Sequence, residues 1–149
     1  MDRRNCWEVL LERSEKAAEL ARQGCLRAAN RVTQLEAQMQ RLQALHADYS
    51  QRLRDAQEQA HGISQTVSYR NFLAQIGALM DRTIQDLNGA RAVHAAALRD
   101  LQRTEQEQNK FEALIEREDL KAHQAAEKAE QRVFEELAIS RYIQQQRSA

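Results

Sequence analysis

The chain has 149 residues, of which 30% are charged and 5% aromatic, with four glycines and no proline. Layered domains need turns rich in Gly, Pro, Asn and Asp, so this background of Ala, Gln, Glu, Arg and Leu excludes a compact many-element body and points to long helices or coiled coil. Basic and acidic residues number 22 each and are interspersed, which leaves no concentrated basic face for nucleic acid and no acidic tail.

The opening MDRRNCWEVLLERSEK lacks the apolar core of a signal peptide, and no window approaches the roughly 18 apolar residues of a membrane span. The expectation is a cytoplasmic protein. A first helix is expected over about residues 3–60, on an apolar seam with alternating spacings of four and three. The seam runs through Trp7, Leu11, Ser14, Ala18, Ala21, Cys25, Ala28, Val32, Leu35, Met39, Leu42, His46, Tyr49, Leu53, Ala56, Ala60 and Ile63. Only Ser14 and His46 interrupt it with polar groups. Cys6 and Cys25 fall on this one helix, about 28 Å apart, too far for a disulfide. On the seam, Cys25 reads as a small buried hydrophobe.

The stretch HGISQTVSYRN, residues 61–71, is expected to be the hairpin tip, with Gly62 as a left-handed C-terminal cap and Ser68 capping the next helix. A second helix over about residues 72–145 carries a seam through Leu73, Ile76, Met80, Thr83, Leu87, Ala90, His94, Ala97, Leu101, Thr104, Gln108, Phe111 and Ile115. It then loosens past Glu118 and Ala122 and changes phase to Ala126, Ala129, Val133 and Leu137, as a stutter does. The fold class expected is all-α, a long two-helix antiparallel coiled coil forming a single hairpin, monomeric in isolation. Large residues oppose small ones if Ala60 meets Ile76, Ala56 meets Met80, Leu53 meets Thr83, Tyr49 meets Leu87, Leu35 meets Leu101, Cys25 meets Phe111 and Trp7 meets Ala129.

That pairing leaves two apolar surpluses. Phe72, Ile76, Leu79 and Thr83 run i, i+4, i+7, i+11 along one flank of the second helix, either as a contact surface for a partner or as a strip covered by the tip. Beyond about residue 135 the second helix has no partner left. The overhang still carries Leu137, Ile139, Tyr142 and Ile143, and Phe134, Leu137 and Arg141 form an i, i+3, i+7 face that frays or enters a partner.

Catalytic motifs are absent: there is no phosphate loop, HExxH, CxxC or serine elbow. Pairs such as Glu12 with Lys16 are ordinary helix stabilisers. His46 and His94 fall on seam positions one layer apart in the expected pairing. They read as a polar layer that sets register or as a two-histidine metal clip without the third ligand that a site needs.

Tyr49 and Leu53 in DYSQRL, Gly62 and Ile63, the step from Tyr69 to Phe72, Leu114, Glu116 and Arg117 in LIER, and EELA from Glu135 to Ala138 together resemble the FliJ family of the bacterial flagellar type III export apparatus. The resemblance covers most of the chain and rests mainly on the heptads over the first 40 residues. It implies a non-enzymatic coiled-coil stalk without a cofactor, located in the cytoplasm at the inner membrane face. Such a stalk inserts the end carrying both termini into the hexameric FliI-type export ATPase, promotes ring assembly, links the ring to the FlhA-type export gate and escorts export chaperones. The gate contact corresponds to Phe72, Ile76, Leu79 and Thr83. The ATPase-facing end corresponds to Trp7, Leu11, Phe134, Leu137 and Arg141. The rivals are the equivalent stalk of a virulence type III secretion system and a generic coiled-coil tether.

Overall fold

A computed structural model describes residues 3–59 and 62–148. Ala60, expected on the seam opposite Ile76, and His61, the first residue of the expected tip, lie outside the described residues. The chain forms two α-helices, α1 (Arg3–Glu58) and α2 (Ile63–Arg147), which pack against each other as an antiparallel coiled coil. Contacts divide the chain into one unit of Glu19–Arg103 and another of Met1–Ala18 with Thr104–Ala149.

The helix ends differ from the expectation. Helix α2 begins at Ile63, so most of the stretch read as tip is its first two turns. The Gly62 carbonyl accepts the amides of Gln65 (3.1 Å) and Thr66 (3.5 Å), which makes Gly62 the N-cap of α2 rather than a left-handed cap of α1. Its backbone is not left-handed. Ser68 is interior, its hydroxyl donating to the Ser64 carbonyl at 2.9 Å, as serines do within helices. The β-branched Ile63, Thr66 and Val67 mimic loop composition, yet they tolerate a helix once the first turn is capped. At the other end, Ser148 closes α2 through its amide (3.1 Å) and hydroxyl (2.6 Å), both on the Gln144 carbonyl.

In the Glu19–Arg103 unit the core is Ala21, Ala28, Leu35, Ala56, Ile76 and Leu87, with buried Thr83. Small residues along α1 let the two backbones approach closely. Thr83 donates to the Leu79 carbonyl (2.8 Å) and accepts from the Gln38 amide (3.3 Å), so its buried hydroxyl is satisfied. Tyr49 packs on Phe72, ring centroids 4.4 Å apart, and on Tyr69 at 6.1 Å. Arg91 reaches Glu36 at 3.5 Å across the pair.

In the other unit Ser14, Ala18 and Thr104 are buried, and the Ser14 hydroxyl donates to the Leu11 carbonyl at 2.8 Å. Trp7 stacks on Phe111 with centroids 6.2 Å apart and planes at 29°. Arg4 binds Glu8 (3.2 Å) on its own helix and Asp119 (3.3 Å) on α2.

These contacts correct the expected pairing. Tyr49 meets Phe72 rather than Leu87, Thr83 meets Gln38 rather than Leu53, and Phe111 meets Trp7 rather than Cys25. The observed register is displaced from the expected one by about two heptads. The cause is the early start of α2: shortening the connection brings every α2 residue opposite an α1 residue nearer the N-terminus. The unpaired part of α2 therefore begins not near residue 135 but just after Asp119, the last residue with a contact to α1, and all residues 119–148 are exposed.

Candidate functional site

The two surfaces singled out by sequence belong to different units. On the early α2 strip, Ile76 and Thr83 are each 2% exposed and face α1, whereas Leu79 is 49% exposed. Phe72 is half-buried beneath Tyr49. The structure therefore brings Phe72, Ile76 and Thr83 into the helix pair and leaves Leu79 as the outward apolar group of the four. Ile63, Val67 and Ile84 add exposed apolar surface on the same stretch. Ile63 and Val67 belong to the stretch read as the tip, which in one of the two expected readings covers the strip. Arg52 lies over the Tyr49 ring at 4.9 Å, a cation–π contact that borders the strip with positive charge. Neither Tyr49 nor Tyr69 figured among the expected site residues. Tyr69 and Phe72 are neighbours on one helix, but Tyr49 lies far from them in sequence, and only the register brings it onto them.

In the terminal unit, Trp7 and Leu11 are half-buried, Trp7 through its stack on Phe111. Phe134 is 76% and Leu137 55% exposed, and Arg141 is exposed. No α1 residue covers these last three, so Trp7 and Leu11 do not adjoin Phe134, Leu137 and Arg141 as the expected register requires. Shallow furrows follow the α2 face around Phe134. One is lined by Ala129, Glu130, Val133, Phe134 and Leu137, a second by Phe134, Leu137, Ala138 and Arg141, and a third by Glu127, Glu130, Gln131 and Phe134. A furrow on one helix encloses nothing and leaves its apolar lining exposed.

The histidine pair is corrected by the register. His46 lies between Gln38 and Tyr49, whose partners on α2 are Thr83 and Phe72. His94 lies beyond Arg91, the partner of Glu36, so the two imidazoles are separated by several layers rather than by one. His46 instead sits 3.4 Å from the Ser50 hydroxyl. Among the described residues no group of three or more His, Cys, Asp or Glu could hold a metal ion. Both cysteines are free, Cys6 exposed and Cys25 partly buried. No described helix is long and apolar enough to cross a membrane.

Comparison with known proteins follows the same lines. CT670 of Chlamydia trachomatis, described as a proposed YscO homolog, has a solved structure with 15% sequence identity and a TM-score of 0.68, covering 95% of this chain and 91% of that one. At that identity the likeness is one of fold. Among curated proteins no relative matches. A family model described as "Flagellar FliJ protein" matches residues 7–147, which takes in both the paired helices and the unpaired end of α2. This chain belongs to the FliJ family.

Proposed function

We propose that this FliJ-family chain is a non-enzymatic stalk that couples the hexameric FliI-type export ATPase to the FlhA-type export gate and escorts export chaperones, at the cytoplasmic face of the inner membrane. The observation that carries the reading is the unpaired end of α2. It is helical to Arg147 and among the described residues meets nothing on α1 beyond the Arg4–Asp119 ion pair, yet it presents Phe134, Leu137, Tyr142 and Ile143 to solvent. Leaving that much apolar surface uncovered costs solubility, and insertion into a ring would cover it. Trp7 takes part by closing the α1 end against Phe111, with half-buried Leu11 one turn further along α1. At the gate surface, Leu79 makes the contact, while Phe72, Ile76 and Thr83 hold the helix pair that displays it.

Stimulation of a FliI-type ATPase tests this. Deleting residues 137–149 should abolish stimulation, and Phe134→Ala with Leu137→Ala should reduce it at least about 10-fold, the loss of two anchor side chains. Undiminished stimulation by both variants rules out the ring contact. The second reading, the equivalent stalk of a virulence type III secretion system, is separated by which ATPase responds.

A further inference from the structure

The free face of α2 has a charge order that specifies one kind of occupant. Glu127, Glu130, Phe134, Leu137, Arg141 and Gln144 follow alternating spacings of three and four, which on a helix places them in a single stripe. All six are exposed. The stripe is acidic toward its N-terminal end, apolar at its centre and basic toward its C-terminal end, so it is complementary to itself when reversed. Laid antiparallel on a second copy, with each residue facing the next step of the repeat, Phe134 meets Leu137 and Glu130 meets Arg141, each contact occurring twice about a two-fold axis. Glu127 then faces Gln144. The flanking positions bring Val133 to Ser140 and Gln131 to Ala138, with no like charges opposed. A parallel alignment would set Glu130 on Glu130 and Arg141 on Arg141, repulsive at both ends.

We propose that two copies of this chain pair antiparallel through the free ends of α2, with Phe134 and Leu137 at the centre and Glu130 of each opposite Arg141 of the other. The contact is smaller than a standard stable interface, and its dissociation constant falls near 10–100 µM, roughly. The chain is monomeric below that range. The pairing does not depend on the ATPase reading, although it covers the same face and would compete with ring insertion.

Sedimentation equilibrium of the full chain, from about 5 µM to about 500 µM so as to span that constant, should show a monomer–dimer equilibrium without larger species. Glu130→Arg and Arg141→Glu should each weaken dimerisation at least about 10-fold, since each sets like charges together at two layers. An equimolar mixture of the two variants should dimerise again, because each supplies the charge that the other lacks. Circular dichroism should be unchanged, the substitutions being on an exposed helix face. A monomer throughout, a dimer indifferent to both reversals, or a mixture no more dimeric than its components overturns the proposal. Those results leave ATPase stimulation, which is read separately, untouched.

Discussion

Replacing Ile76 and Leu79 one at a time separates what holds the early α2 strip together from what it displays. Ile76 is 2% exposed, and truncation to alanine removes its buried branches and leaves a void against α1. Buried Ile→Ala changes cost about 2–5 kcal/mol. A two-helix layer is open to solvent on both sides and can collapse partly, so the lower half applies, about 2–3 kcal/mol. Leu79 is half exposed and already forfeits about half of the ~2 kcal/mol that full burial of a leucine is worth. Alanine also returns a few tenths of a kcal/mol in helix propensity, which leaves a cost below about 1 kcal/mol. Urea unfolding followed at 222 nm reads both. With m of about 2 kcal/mol/M, Ile76→Ala should lower the midpoint by at least about 1 M and Leu79→Ala by less than about 0.5 M, at unchanged slope. In a pull-down with an FlhA-type gate domain the order should reverse among folded protein, Leu79→Ala losing capture. Equal midpoint losses, or a larger loss for Leu79, would refute the assignment of Ile76 to the core and Leu79 to the surface.

Stopping the chain after residue 122 should lower the ellipticity in proportion to the helix removed yet change the unfolding midpoint by less than the equivalent of about 0.5 kcal/mol, because the removed residues touch nothing on α1; a large loss would restore the register expected from sequence. Thr83→Val should be neutral within about 1 kcal/mol, since it removes the buried hydroxyl while Gln38, which is exposed, turns to water; a loss above about 2 kcal/mol would mean that the Gln38 bond governs register. The single tryptophan reports on the closed end: Phe111→Ala should shift Trp7 emission to the red without reducing helicity, and an unchanged spectrum would show that the stack is not formed in solution.

The amino-acid sequence by itself determined that the chain is two helices with complementary seams, and which residues lie on those seams. Heptad phase is a local property, set within each helix by spacings of three and four, so Leu35 and Leu87 were legible as interior before any partner was known, whereas Ile76 and Thr83 read both as seam and as contact strip and only the structure buries them. The tip was less legible because Ile63, Thr66 and Val67 look like loop residues, although a glycine carbonyl suffices to start a helix through them. What the tertiary structure alone decided is which layer meets which. Sliding one helix past the other by whole heptads keeps apolar positions facing apolar positions, so the seam pattern is nearly blind to such a shift. The length of the connection breaks the degeneracy. With α2 starting at Ile63, Tyr49 reaches Phe72 and Tyr69, Trp7 reaches Phe111, and everything after Asp119 is left without a helix to cover it. The length of the free end, and with it the surface available to a ring or to a second copy, follows from that one turn.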